Sequence, residues 1–157
     1  MQLRHLKLPR FYLPDCPSGS VDKGRRLLQT ISYLSLDCCT KEVIMGIQNV
    51  KELGISAYGT DCDGLVNNLV LLQQLEALNL TYCFSRFLPE TLKKLKLKIT
   101  YLSWSYLDIV AELPNLEVLK LMAYACDGEE WYPKVKGFTR LKLLLIEDNS
   151  LKNWKAT

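Results

Sequence analysis

One short pattern, Leu-x-x-Leu-x-Leu with Ile or Val at some of its apolar positions, recurs seven times in these 157 residues. It falls at Leu3/Leu6/Leu8, Ile31/Leu34/Leu36, Val50/Leu53/Ile55, Leu75/Leu78/Leu80, Leu92/Leu95/Leu97, Leu116/Leu119/Leu121 and Leu141/Leu144/Ile146. In an extended segment successive side chains point to opposite faces. The fourth and sixth residues of each unit therefore share one apolar side, and the third, fifth and seventh share the other. A single unit cannot bury its apolar side, but units stacked in series share one continuous core.

Recurrence of this kind is the signature of a leucine-rich-repeat solenoid. The expected fold is α/β. It is a horseshoe of about seven repeats in one domain spanning 1–157, with a concave parallel β-sheet and short convex helices or 3-10 turns. The central leucines, Leu6, Leu34, Leu53, Leu78, Leu95, Leu119 and Leu144, are spaced by 28, 19, 25, 17, 24 and 25 residues. Such irregularity, with no Gly-x-Ile-Pro turn, is typical of intracellular repeats. Glu42–Val50, Leu65–Leu75, Ser105–Leu113 and Tyr132–Leu141 carry apolar residues at three- and four-residue steps and are the expected helical returns. A loop over 14–26, rich in Pro, Ser and Gly, is inserted between the first two units. Neither end carries a polar cap. The chain is therefore expected to be a piece of a longer solenoid, or else a truncated product with exposed edges.

Composition narrows the function. The chain is 48% hydrophobic, too apolar to be disordered, and its net charge of +3 is too small to direct it to nucleic acid. The run Leu65–Leu72 is short and broken by Asn67 and Asn68, so no integral membrane segment is expected. Arg4, His5, Lys7 and Arg10 interrupt the leucines near Met1 and exclude a secretory signal there. Six cysteines contain no Cys-x-x-Cys pair, and His5 is the only histidine, so zinc-ligand spacing is absent. Cys39 and Cys83 occupy the ninth position of their units and read as structural thiols. With no disulfide framework in view, a reducing, cytoplasmic location is expected.

Catalytic chemistry is missing too. Gly19 and Gly24 have the spacing of a phosphate-binding loop, but Arg25 and Arg26 stand where Lys and Ser/Thr are required. His5 has no Ser or Cys partner in view. The chain is not expected to be an enzyme, and no cofactor is expected in it.

A binding surface can be drawn from the columns. The third position reads His5, Tyr33, Glu52, Ala77, Lys94, Val118, Leu143. The fifth reads Lys7, Ser35, Gly54, Asn79, Lys96, Lys120, Leu145, and the seventh Pro9, Asp37, Ser56, Thr81, Lys98, Met122, Glu147. One strand thus presents Lys94, Lys96 and Lys98 on a single face. Lys120 stands beside them, and Val118, Met122, Leu143 and Leu145 form an apolar group next to the strip. This is the candidate partner-binding surface. The competing reading is a solvated basic strand beside leucines that a neighbouring repeat or domain covers. The second position reads Lys51, Glu76, Lys93, Glu117, Lys142, a ladder of alternating sign that would help fix the strand register. In Gly128–Pro133, Trp131 and Tyr132 either anchor a partner or pack over their own repeat, and packing is favoured.

The stretches LPETLKKLKLKITYLSWSYLDIVAELPNLEVLKLM (88–122) and GEEWYPKVKGFTRLKLLLIEDNSLKNWKAT (128–157), with LLQTISYLSLDCCTKEV (27–43), resemble the repeat region of plant coiled-coil nucleotide-binding leucine-rich-repeat immune receptors. The nearest resemblance is to the nightshade late-blight-resistance and helper-receptor group. The resemblance implies a protein-interaction module in plant defence and hypersensitive cell death. Its partners would be the receptor's own nucleotide-binding module or a pathogen effector or signalling protein. ATP or ADP would belong to the nucleotide-binding domain of a full-length parent, because this chain has no phosphate-binding loop and no Met-His-Asp motif. Two alternatives stay open: a substrate-recognition repeat of a ubiquitin-ligase adaptor, and a truncated receptor remnant that acts as a decoy or has no function.

Overall fold

The computed structural model describes residues 4–6, 28–58, 66–134 and 136–155. Along the chain run β1 (His5–Leu6), β2 (Thr30–Ser35), α1 (Lys41–Gly46), β3 (Glu52–Ser56), β4 (Ala77–Thr81), β5 (Lys94–Lys98) and β6 (Leu102–Ser103). Then come α2 (Leu107–Ala111), β7 (Val118–Met122), β8 (Cys126–Asp127), β9 (Glu130–Trp131), β10 (Leu143–Glu147) and β11 (Asn153–Trp154). Seven of these strands form one sheet in the order β1-β2-β3-β4-β5-β7-β10, and every pair is parallel. Parallel neighbours need a crossover between them, and the short helices and turns supply it. The architecture is α/β and is compatible with a leucine-rich-repeat fold. The proposed insertion at 14–26 and the Gly19–Gly24 segment lie outside the described residues.

The register follows the apolar pattern from β3 onward. Leu53, Leu78, Leu95, Leu119 and Leu144 align across the strands, as do Ile55, Leu80, Leu97, Leu121 and Ile146. From β3 to β7 both rows are almost wholly buried, and they form the centre of the core. In β2 the sequence-based register is corrected. Ile31 pairs with Leu6 and Leu53, and Leu34 pairs with Ile55. Ile31, rather than Leu34, is the central residue of that unit. The cause is an irregularity between Ile31 and Leu34, where β2 takes three steps against two in β3. The extra residue is a β-bulge. It moves Thr30 into the column assigned to Tyr33, and Ser35 into the column assigned to Asp37.

The returns are short, as expected, with one exception. Thr40 Oγ1 accepts from the Val43 amide and caps α1. Leu69–Leu71 and Trp104–Tyr106 are 3-10 turns, and the second runs into α2. In 132–141, however, the described residues form no helix. Pro133 offers no amide, and the Gly137 amide closes a turn onto the Lys134 carbonyl instead. Gly137 also lies against α2, where a Cβ would come within 2.5 Å of the Ala111 methyl.

Behind the sheet an aromatic stack joins three successive units. Trp104 and Trp131 stack with centroids 5.4 Å apart, and Trp131 and Trp154 stack at 5.9 Å. β9 and β11 pair in parallel and hold Trp131 level with Trp154. Trp131 is thus packed within the fold, while Tyr132 beside it is exposed. Trp104 donates its indole N–H to the Gly128 carbonyl at 2.8 Å, whereas the buried Trp131 Nε1 has no hydrogen-bond partner.

Cys38 is disulfide-bonded, which corrects the expectation that no disulfide forms. Cys39, Cys83 and Cys126 are in the thiol form. Cys83 and Asn149 do equivalent work. Cys83 Sγ donates to the Ile55 carbonyl and Asn149 Nδ2 to the Leu121 carbonyl, each reaching back 28 residues to the preceding sheet strand. Cys39 differs, because its thiol donates to Ser35 within its own loop. No helix among the described residues is long and apolar enough to cross a membrane.

Candidate functional site: the open face of the sheet

The face opposite the leucine rows carries the side chains that the alternation turns outward. Strand pairing sets these out in rows. Lys94, Val118 and Leu143 share one row, Lys96, Lys120 and Leu145 the next, and Lys98, Met122 and Glu147 the third. All eight residues of the candidate surface are therefore brought onto one face across β5, β7 and β10. Lys94, Lys98 and Leu143 are exposed, and the other five are half-buried. A groove of about 550 Å³ crosses this face from Thr30 to Leu143 and is lined by Lys94, Lys96 and Lys120.

Carboxylates stand at the margins of these lysines, Glu52 in the groove lining and Glu147 at the end of the Lys98 row. Among the described residues the ion pairs engage Lys93, Lys134, Lys142 and Lys152, and none engages Lys94, Lys96, Lys98 or Lys120. Lys96 and Lys120 are direct neighbours on adjacent strands, where like charges repel. Burial of the leucines behind them fixes this arrangement. The strand cannot turn the lysines away without turning Leu95 and Leu97 out of the core.

The alternating ladder lies beside the strand starts and partly closes. Lys93 meets Glu76 at 3.3 Å and Lys142 meets Glu117 at 3.1 Å. The Lys142 hydrogen bond and charge hold the Glu117 carboxyl below its ordinary range. These exposed pairs contribute little to stability. Two residues earlier, just before each unit begins, a second polar row forms. Gln74 donates to Asn49, Asn115 to the Glu90 carbonyl, and Arg140 to Asn115.

Nothing among the described residues gathers three or more potential metal ligands. Burial pushes the Cys39 and Cys126 thiols up to about 12, so both stay protonated near neutrality and are poor nucleophiles. His5 Nδ1 lies 3.0 Å from Thr30 Oγ1 at the sheet edge.

The structure adds a feature that the column analysis missed. The strands β3, β4, β5 and β7 each run into an exposed tyrosine: Tyr58, Tyr82, Tyr101 and Tyr124, between 40% and 61% accessible. They fall at the ninth, eighth, tenth and ninth positions of their units, so no fixed column contains them. A search for one aromatic within three residues of each strand end would have found them.

The chain is similar to plant resistance proteins. It is 30% identical to each of two putative late blight resistance protein homologs of Solanum demissum, over an alignment of 176 positions. That alignment takes in 98% of this chain and 13% of each relative, so the chain spans about an eighth of the length of these proteins. No family model matches it.

Proposed function

We propose that this chain is a protein-interaction module of a plant intracellular immune receptor, built as a leucine-rich-repeat solenoid of seven units. It acts in autoinhibition and in effector sensing or signal relay during the defence response. It binds rather than catalyses and needs no cofactor of its own. Its partner is the receptor's nucleotide-binding module or a pathogen effector or signalling protein, met on the open face of the sheet. Likeness to the late blight resistance protein homologs along nearly the whole chain supports the defence role.

The observation that carries the binding role is the group of four lysines without ion pairs, set beside Val118, Met122 and Leu143 on one face. Cations not closed into ion pairs, next to an apolar group, complement an acidic protein surface that carries apolar side chains of its own. The test is leaf expression of the native gene product that contains this segment, mapped first to its transcript ends. Wild type is compared with the triple variant Lys94→Glu, Lys96→Glu and Lys98→Glu. Expected is cell death without a pathogen, or loss of the response to one. Cell death and pathogen response both unchanged from wild type would remove the face from the function.

A further inference from the structure

Three of the four tyrosines at the strand ends are placed at a conformational cost. Tyr82, Tyr101 and Tyr124 have φ of 57°, 48° and 60°, in the left-handed region that L residues other than Asn and Asp seldom occupy. Their rings are not used to cover the core, since all are exposed. They pair with one another instead: Tyr58 with Tyr82 at 5.4 Å, and Tyr101 with Tyr124 at 6.1 Å with near-parallel planes.

The left-handed turns also tie this rim to the sheet. The amides of Tyr82, Ile99 and Ala123 donate to carbonyls at the end of the next strand, Lys98, Met122 and Glu147. The Tyr101 amide donates to the Tyr124 carbonyl, and the Tyr124 amide to that of Asp148. The tyrosines thus border the row that holds Lys98 and Met122. The positions of Tyr82, Tyr101 and Tyr124 are set by backbone hydrogen bonds, and the Tyr58 amide donates to Ser56 Oγ.

We propose that the tyrosine rim and the lysine rows form one continuous docking edge for an acidic polypeptide segment bearing apolar side chains. Carboxylates of the segment reach Lys96 and Lys98, while its apolar side chains lie on the paired tyrosine faces. Tyrosine suits this work because it offers large, rigid contact area at low entropic cost. A nucleic acid strand is the competing occupant, since aromatics beside a basic groove can stack bases. The geometry favours protein. Each tyrosine pair is already closed on itself, leaving no slot for an inserted base, and the lysine rows end in Leu143, Leu145 and Glu147 rather than in further cations.

This inference rests on the open face being a partner surface, and the test separates the two. The probes are a labelled random glutamate–tyrosine copolymer, polyglutamate and oligo-dT, titrated against the full chain by fluorescence anisotropy. The rim variant combines Tyr82→Asn, Tyr101→Asn and Tyr124→Asn, because Asn tolerates the left-handed conformation and the fold is kept. The strip variant combines Lys96→Glu and Lys98→Glu. Circular dichroism and a cooperative melt check both. Expected is that the copolymer binds more tightly than polyglutamate, and that the rim variant weakens the copolymer by about tenfold while leaving polyglutamate unchanged. The strip variant should lose both. Equal binding of copolymer and polyglutamate, with no effect of the rim variant, would overturn the docking edge and leave the lysine face standing. Absence of binding to either acidic probe would overturn both readings. Tighter binding of oligo-dT that the rim variant abolishes would assign the edge to nucleic acid.

Discussion

A Cβ on Gly54 would collide with the carbonyl oxygen of Ser32 on the neighbouring strand. This close approach explains how two strands of unequal length share one register. The extra residue of β2 pushes its backbone toward β3, and only the absence of a side chain at 54 leaves room for it.

Gly54→Ala is therefore expected to destabilise the fold by about 1–3 kcal/mol, the usual cost of forcing atoms into a packed site. Urea unfolding followed by circular dichroism measures it. A loss below about 0.5 kcal/mol would mean that β2 shifts freely, and that the bulge is not fixed by this contact.

Four residues that immediately follow sheet strands, Tyr82, Ile99, Ala123 and Asp148, share a left-handed backbone. Ala123 gives the cleanest test because its side chain is small. Ala123→Gly removes the clash of Cβ with the following carbonyl and should raise stability by about 1 kcal/mol, partly offset by the freer unfolded chain. A lower urea midpoint for this variant would contradict the strain.

Trp104 and Trp131 are both buried, but only Trp104 has a hydrogen-bond partner for its indole N–H. Replacing each by Phe removes similar apolar area and has opposite polar consequences. Trp104→Phe loses its bond to the Gly128 carbonyl, about 1 kcal/mol, whereas Trp131→Phe removes an unmet donor. Thermal melts should place Trp131→Phe above Trp104→Phe. The reverse order would show that stacking area, rather than hydrogen bonding, ranks the two sites.

Alkaline pH should weaken the fold. Burial pushes the Cys39 and Cys126 thiols from 9.0 up to about 12, and the Tyr106 hydroxyl from 10.0 up to about 12. In the unfolded chain these groups ionise first. Their contribution to stability is therefore complete below about pH 9 and declines as pH rises toward 12. Urea midpoints at pH 7 and pH 10 should differ in that direction, and Cys126→Ala should flatten the slope. An unchanged slope in that variant would show that Cys126 does not contribute to it.

From β3 onward the strands were legible in the sequence because the apolar period is strict. Leu53, Leu78, Leu95 and Leu119 have no other way to be buried, so their register and the outward direction of Lys94, Lys96, Lys98 and Lys120 follow together. The same alternation puts Val118, Met122, Leu143 and Leu145 beside them, and the strand pairing brings them onto that face. At β2 this logic failed. Ile31, Leu34 and Leu36 satisfy the pattern in one frame, and the bulge selects another in which Ile31 is central. A local period cannot report an extra residue that is accommodated by a glycine on a different strand.

The sequence by itself determined which side of each strand is buried, because burying leucine and exposing lysine both lower the free energy and a one-residue slip reverses them. Tertiary structure alone decided how neighbouring units fit. It set the meeting of Ser32 with Gly54, the stack of Trp104, Trp131 and Trp154, and the left-handed turns that place Tyr82, Tyr101 and Tyr124. Each depends on the distance between units whose central residues lie 17 to 25 residues apart, and that distance is set by the returns, whose lengths vary and whose periodicity is weak.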